Sequence, residues 1–287
     1  MAESLDQDVE EERERLLDGW EQASAGWGRQ ADSILEFGMP VARWMLEHAD
    51  LQPGERVLEL AAGPGDVGFM AAELIRPGGE LVSSDATEGM IELARMRAAE
   101  QGIENVEFRQ LQLEWIDLPT ASVDAILCRW GVMLTVDPGA ALQECRRVLR
   151  PGGRIALAVW GVPEQNPWAT IPQGVLVRMG LLEPPTPGGP GMFSMAAPGR
   201  LEEMLKEAGF VDIEVEPVTL TRVYAESVTW LGETVDCSQM FGRAWRTLDD
   251  ERRRDVRAEL DSAAREFAGP EGTIRIPGVS LAVVAHA

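Results

Sequence analysis

The chain has 287 residues, of which 45% are hydrophobic, and a formal net charge of −22. It is long enough for one elaborated domain or two small ones. The acidic excess argues against nucleic acid as a partner, because phosphate backbones are bound by clustered Lys and Arg. No stretch approaches the ~20 apolar residues that cross a bilayer. Residues 1–19 are acidic, unlike a secretory signal. We therefore expect a cytoplasmic protein that acts on a small molecule, with neither nucleic acid nor membrane as a partner.

Cysteine and histidine are scarce. Cys128, Cys145 and Cys237 show no metal-ligand spacing, and an odd number of cysteines suits a reducing cytoplasm. His48 and His286 are the only histidines, which nearly excludes His-based metal sites and catalytic triads. We expect no metal.

The first 50 residues are predicted to be helical. Residues 1–18 have the composition of a solvated acidic helix face. Apolar residues recur at helical spacing from Trp20 to about Ala49, and the pattern is interrupted at Gly38 and Pro40. This interruption predicts two helices.

From residue 51 the pattern alternates between strand and helix. Such alternation predicts a parallel sheet that binds ligands outside the carboxyl ends of its strands. The predicted strands are 56–61, 80–84, 105–109, 123–128 and 154–160, and the predicted helices lie near 66–76, 87–101 and 138–149.

The rest of the chain adds insertions to this core. Residues 161–197 are rich in Pro and Gly and predict an inserted lid. A helix over about 199–209, a strand over 211–220, a polar helical stretch over 226–268 and a last strand over 278–287 follow. The predicted division is 1–50 for helices that cap the site, 51–160 for the nucleotide-binding core, 161–197 for the lid, and 198–287 for the end of the core with its helical insertion.

The segment 57–68, VLELAAGPGDVG, predicts a strand that enters a glycine turn. Gly63, Gly65 and Gly68 fit G-x-G-x-x-G, a spacing that lets the backbone approach a ligand closely. The helix expected from Asp66 offers free N–H groups. NAD and other nucleotides fit this turn equally well.

Asp85 ends the next predicted strand, 22 positions after Gly63. A carboxylate at this place can accept hydrogen bonds from both ribose hydroxyls of a nucleoside. Its alternative role is to cap the helix that begins around Glu88. The glycine turn upstream favours the ribose.

Two further features narrow the choice of nucleotide. Glu59 lies inside the apolar first strand, where an unpaired carboxylate is costly, so we expect it to brace amides of the glycine loop. An Arg-Pro-Gly-Gly turn, residues 150–153, leads into the fifth strand. With these motifs the chain resembles, from about Trp20 to Phe210, the class I S-adenosylmethionine-dependent methyltransferases, particularly the group that includes the ubiquinone/menaquinone C-methyltransferases.

The resemblance implies a Rossmann-like α/β three-layer sandwich, with a mostly parallel seven-stranded sheet, an antiparallel last strand and a helical lid. It implies that S-adenosylmethionine is the cofactor and S-adenosylhomocysteine its product. Glu114 stands in the third-strand signature LEWIDLP in place of the family's usual Asp and would border the adenine with Trp115. Cys128 and Arg129 would lie near the methionine end. The implied cofactor-binding residues are Trp27, Glu59, Ala61, Gly63, Gly65, Asp85, Ala86, Glu114, Trp115, Cys128 and Arg129.

Methyl transfer from a sulfonium is an in-line displacement, for which the protein mainly aligns the reacting groups. With two histidines and one tyrosine, a general base would be a carboxylate or absent. This favours an acceptor that ionises readily (a phenol, an enolisable carbon or a thiol) or a carboxylate. The apolar insertions suggest an uncharged or aromatic molecule. The candidate acceptor-pocket residues are Trp130, Met133, Trp168, Phe193 and Trp230.

Two other functions remain open from sequence. A nicotinamide-dependent oxidoreductase would use the same glycine turn, but the catalytic Tyr-x-x-x-Lys is missing, and Glu59 and the Arg-Pro-Gly-Gly turn speak against it. A non-catalytic module that binds S-adenosylmethionine fits the cofactor motifs as well. The sequence also allows a homodimer.

Overall fold

The computed structural model describes residues 2–184, 191–269 and 272–287, with only the backbone for 2–8. Its elements alternate as the sequence pattern predicts. The strands are β1 (Arg56–Glu59), β2 (Glu80–Asp85), β3 (Val106–Gln110), β4 (Val123–Arg129), β5 (Leu149–Trp160), β6 (Val211–Tyr224) and β7 (Ile274–His286). The helices are α1 (Ala2–Arg29), α2 (Ala31–Ala49), α3 (Asp66–Leu74), α4 (Glu88–Gln101), α5 (Pro138–Val148), α6 (Pro167–Arg178), α7 (Arg200–Glu207), α8 (Ser227–Cys237), α9 (Gln239–Thr247) and α10 (Asp250–Ala264).

The strands form one mixed sheet in the order β3-β2-β1-β4-β5-β7-β6. β1 to β5 are parallel, and β7 runs antiparallel to both of its neighbours. Helices cover both faces, which is why β1 and β4 are nearly continuous buried apolar runs. This is the predicted Rossmann-like fold. The strand order reverses between β1 and β4, the place where open α/β sheets bind their ligands.

The break between the first two helices does not lie where the sequence suggests. The helices part at Gln30, and both Gly38 and Pro40 lie inside α2. Val41 and Met45 of α2 are completely buried on the sheet. This packing sustains the helix through a proline that would end an isolated one. The acidic residues before Trp20 belong to α1, which is continuous from Ala2 to Arg29.

The last two strands are longer than predicted and carry a second core. β6 reaches Tyr224 and β7 begins at Ile274, so this antiparallel pair extends beyond the end of β5. Helices α8 to α10 lie between the two strands in the chain and pack at this extension. The stretch 226–268 is not simply polar, because its helices bury apolar side chains in a cluster separate from the main core. The members of this second core include Trp230, Leu231, Phe241, Val256, Leu260 and Ile276.

Within the described ranges, every helix is too short or too polar to cross a bilayer. The same ranges hold no group of three His, Cys, Asp or Glu residues that could bind a metal ion.

Candidate functional site

A cleft of about 1050 Å³, including solvent at its mouth, lies at the carboxyl ends of β1, β2 and β4. α1 forms one wall of the cleft with Arg13, Leu16, Leu17, Trp20 and Trp27. The opposite wall consists of the β1–α3 loop, the end of β2 and the segments that follow β3 and β4.

Glu59 supports the glycine loop from behind. Its Oε1 accepts a hydrogen bond from the Gly68 N–H at 2.7 Å, and its Oε2 accepts one from the Ser83 hydroxyl at 3.1 Å. A Cβ on Gly68 would lie 2.0 Å from this carboxylate, so only glycine fits there. Burial raises the pKa of Glu59 to about 7, although the two hydrogen bonds oppose the rise. Gly68 is the third residue of α3, so Glu59 braces a backbone amide as expected, but this amide lies at the start of the helix that follows the glycine turn.

Asp85 joins the end of β2 to the glycine loop. Its Oδ2 accepts a hydrogen bond from the Gly63 N–H at 3.0 Å, and its Oδ1 accepts from the N–H and the hydroxyl of Thr87, both at 3.2 Å. Burial raises its pKa, and these hydrogen bonds counteract the rise. Thr87 occupies the N-cap position of α4, so Asp85 is not the cap. Its carboxylate is instead fixed at the floor of the cleft.

The exit of β4 approaches the glycine loop very closely. A Cβ on Gly131 would lie 2.4 Å from the Cβ of Ala61, so a larger residue would push the two turns apart. Trp130 and Ala61 both adopt positive φ, of 61° and 50°. Such backbone strain costs roughly 1–3 kcal/mol per residue and concentrates at functional sites. Sequence reasoning missed Gly131, whose signal is a glycine just after the predicted fourth strand.

Arg129 supplies a buried cation to the cleft wall. Its Nη2 donates to Asp66 at 3.2 Å, and its guanidinium lies 4.8 Å from the centre of the Trp130 ring. Asp66 also accepts from Arg97 at 3.1 Å. Burial lowers the pKa of Arg129, and the Asp66 charge opposes this effect. The salt bridge therefore fixes the position of Arg129.

α1 is held over the cleft by contacts at several points. Arg13 lies 3.6 Å from the Glu114 carboxylate. Near the other end of the helix, the Trp27 Nε1–H donates to the Cys237 carbonyl of α8 at 3.2 Å. Sequence reasoning missed Arg13, Leu16, Leu17 and Trp20, although the last three interrupt an acidic stretch with apolar residues.

Most of the predicted cofactor residues come together at the cleft. Gly65 is the N-cap residue of α3 and does not line the cleft. Cys128 is buried next to Gly131, and burial raises the pKa of its thiol to about 12. Trp115 points to solvent and is 76% exposed. The predicted cofactor residues that line the cleft are Trp27, Glu59, Ala61, Gly63, Asp85, Ala86, Glu114 and Arg129.

Of the acceptor-pocket candidates, Trp130 lines the cleft, and the other four lie away from it. The Sδ atom of Met133 accepts from the Trp160 N–H at 3.3 Å, so the side chain faces the core. Trp168 packs against Phe37 and Trp160.

Phe193 packs against the main core. Trp230 is completely buried in the second core, and its Nε1–H donates to the Trp168 carbonyl at 3.2 Å. Trp168 and Phe193 therefore pack the insertions against the main core, and Trp230 packs inside the second core. The described part of 161–197, the predicted lid, contributes no side chain to the cleft.

The family comparison agrees with this geometry. A model described as a methyltransferase domain matches residues 51–176. Nocamycin O-methyltransferase from Saccharothrix syringae is 31% identical over 252 residues, which cover 82% of this chain and 88% of the relative. The chain belongs to the class I S-adenosylmethionine-dependent methyltransferases. It is therefore an enzyme that transfers one-carbon groups, which removes the oxidoreductase hypothesis.

Other methyltransferase relatives cover less of the chain. The ubiquinone/menaquinone biosynthesis C-methyltransferase UbiE from Cellvibrio japonicus is 27% identical over 161 residues. The match covers 55% of the present chain and 64% of UbiE. Among solved structures, the YcgJ protein from Bacillus subtilis has a TM-score of 0.58 at 22% identity, and the match covers 86% of this chain and 97% of that one. That structural likeness concerns the fold alone.

Proposed function

We propose that the cleft binds S-adenosylmethionine and that the enzyme transfers its methyl group to a small-molecule acceptor with an O-, C- or S-nucleophile. One observation carries the proposal. The Asp85 carboxylate is fixed from two sides at the end of β2, and it lies in the same cleft as the Gly63 backbone. A fixed acceptor at this strand end suits the hydroxyls of a ribose.

The glycine loop fits the rest of this cofactor. A Cβ on Gly63 would project towards the Trp27 ring, with 3.9 Å between them, and would narrow the passage between the loop and α1. Glycine leaves this passage open for the methionine chain. Glu59 keeps the loop in place, and Arg129 brings a positive charge to the β4 side. We therefore assign the base to the β3 side of Asp85 and the methionine to the β1 and β4 side.

S-adenosylmethionine, when bound, supplies an electrophilic methyl group. The protein's own residues orient the reactants and exclude water. Trp130 is held by its hydrogen bond to the Ser280 hydroxyl at 3.0 Å and offers a rigid aromatic wall. α1 covers the cleft with Leu16, Leu17 and Trp20 and excludes water.

Among the described side chains, every carboxylate that lines the cleft already accepts hydrogen bonds from the protein, so none is free to act as a general base. Glu59 and Asp85 each accept a hydrogen bond from a backbone amide, and Glu114 accepts from the N–H groups of Val136 and Asp137, both at 3.1 Å. Tyr224 donates to Glu233 in the second core and is buried. An acceptor that ionises without help therefore fits best, such as a phenol, an enolisable carbon, a thiol or a carboxylate. The aromatic wall favours an apolar or aromatic acceptor. A cytoplasmic location is our proposal from the three cysteines, whose odd number suits a reducing compartment.

Calorimetry and turnover assays test the proposal. We expect S-adenosylmethionine and S-adenosylhomocysteine to bind and NAD not to bind. A panel of phenols, quinols, thiols and carboxylates should then contain an acceptor whose methylation consumes S-adenosylmethionine. Asp85→Ala should weaken cofactor binding while the exposed control Asp212→Ala leaves it unchanged. Binding of S-adenosylhomocysteine that is equally tight in Asp85→Ala would refute the proposed site.

A further inference from the structure

Two tryptophans of α1, Trp20 and Trp27, line the cleft. Their rings meet edge to face, with 5.9 Å between the ring centres and an angle of 70° between the ring planes. Trp27 lies across from Gly63, since a Cβ on that glycine would be 3.9 Å from the indole ring. Aromatic pairs favour such an edge-to-face arrangement, so the orientation of Trp20 also constrains that of Trp27.

The indole N–H groups of both tryptophans are hydrogen-bonded to the corner between α8 and α9. The Trp27 Nε1–H donates to the Cys237 carbonyl at 3.2 Å. With its carboxamide oxygen turned towards α1, Gln239 accepts from the Trp20 Nε1–H at 2.8 Å. In this orientation the carboxamide oxygen faces donors and the carboxamide nitrogen faces acceptors. The same corner of the second core therefore holds both rings.

The side chain of Gln239 is packed closely against α1. A Cβ on Gly19 would lie 2.2 Å from the Gln239 carboxamide, so a larger residue at position 19 would displace this side chain from the indole. Gly19 is buried, and Gln239 and Trp20 are partly buried. Because the contact is shielded from much of the solvent, its hydrogen bond is stronger than an exposed one.

We propose that Gln239 is a positioning residue for the reaction, which acts through Trp20 to keep α1 closed over the bound cofactor. This inference rests on the proposed function. Gln239 itself does not line the cleft, so its effect on a ligand passes through the indole ring. Without the hydrogen bond the Trp20 ring can rotate about its side-chain bonds, and the aromatic wall opposite Gly63 loosens with it. A bound S-adenosyl compound then leaves faster.

The experiment measures the dissociation rate of S-adenosylhomocysteine from the concentration dependence of stopped-flow tryptophan fluorescence. Gln239→Leu removes the acceptor for Trp20 and should speed dissociation about fivefold, the equivalent of one net hydrogen bond. Gln239→Glu keeps an oxygen at this place and suits the first turn of α9, so it should restore the wild-type rate. Gln101→Leu, at the exposed end of α4, is the matched control and should leave the rate unchanged.

A double-mutant cycle separates positioning from a purely structural role. Trp20→Phe removes the indole N–H and keeps an aromatic ring, so it should speed dissociation as much as Gln239→Leu does. In the Trp20→Phe background, Gln239→Leu should have no further effect, because the two residues act through one contact. A structural role would instead lower the free energy of unfolding and leave the dissociation rate of the folded protein unchanged.

An unchanged dissociation rate in Gln239→Leu would overturn the inference, and so would a fivefold effect that persists in the Trp20→Phe background. If Gln239→Leu does not fold, an unchanged rate in Trp20→Phe decides against the inference on its own. A wild-type enzyme that does not bind S-adenosylhomocysteine would refute the proposed function itself, and this outcome is distinct from the other three.

Discussion

Replacing Glu59 by glutamine should change how the stability of this methyltransferase depends on pH. The side chain is 3% exposed, and its carboxylate accepts from the Gly68 N–H and the Ser83 hydroxyl. A carboxamide keeps the acceptor for Gly68 and can donate to Ser83. Glu59→Gln therefore preserves the shape and the hydrogen bonds of this brace, and it removes only the ability to ionise.

The magnitude follows from the pKa of Glu59, which is about 7 in the folded protein against an ordinary value of 4.5. The folded state holds this proton more tightly than the unfolded chain. The contribution is thus fully present below the unfolded pKa and is lost as the pH rises through 7. At about 1.4 kcal/mol per pKa unit, the wild type should lose about 2.5 kcal/mol of unfolding free energy from this group between about pH 5 and pH 8. Glu59→Gln should not show this loss.

Urea unfolding at several pH values in this range tests the prediction. We expect the stability of Glu59→Gln relative to wild type to rise by about 2 to 3 kcal/mol between the two ends of the range. Glu100→Gln, at an exposed position on α4, is the matched control and should show no such trend. A difference between Glu59→Gln and wild type that stays constant across the range would refute the reasoning, because it would mean that the buried carboxyl does not titrate there.

Three further predictions follow from the geometry. Asp85→Ala should weaken S-adenosylhomocysteine binding at least about tenfold in calorimetry, since it removes a fixed charged acceptor; equal affinity would contradict the ribose assignment. Gly131→Ala should lower the unfolding free energy by about 1–3 kcal/mol in urea, because its Cβ would collide with Ala61; a neutral effect would show that the two turns can separate. Trp230→Ala should lower the unfolding free energy by about 3–5 kcal/mol and leave the cofactor Kd unchanged, because the residue lies in the second core. Weaker cofactor binding under conditions in which the variant is fully folded would place Trp230 in the binding site instead.

The sequence predicts the sheet and the nucleotide loop well because their signals are local. Alternating apolar runs define the strands, Gly63 lies in the turn after β1, and Asp85 is the last residue of β2. Glu59 is predictable for a related reason. A carboxylate inside an apolar strand needs hydrogen bonds, and the nearest donors are the amides of the loop that follows.

Features that depend on distant packing could not be predicted in this way. Pro40 stays helical because α2 is buried on the sheet, which no local rule indicates. Trp168 and Trp230 are aromatic residues of a type that often lines binding pockets, but Trp168 packs against Phe37 and Trp160, and Trp230 lies in the second core. The resemblance implies that Glu114 borders the adenine, but its carboxylate accepts from two N–H groups of the loop after β4, a contact between distant segments that no local rule indicates.

The position of α1 has a consequence for the order in which the molecule can become active. Its Gly26 packs so closely against the Asp236 carbonyl that a Cβ would lie 2.2 Å from that oxygen, and Arg29 forms a salt bridge with the Asp236 side chain. One wall of the cleft is therefore secured by a helix some 200 residues later in the chain. A fragment limited to the residues 51–176 that the family model matches would contain the glycine loop without this wall. The binding site is complete only after the most distant parts of the chain have met.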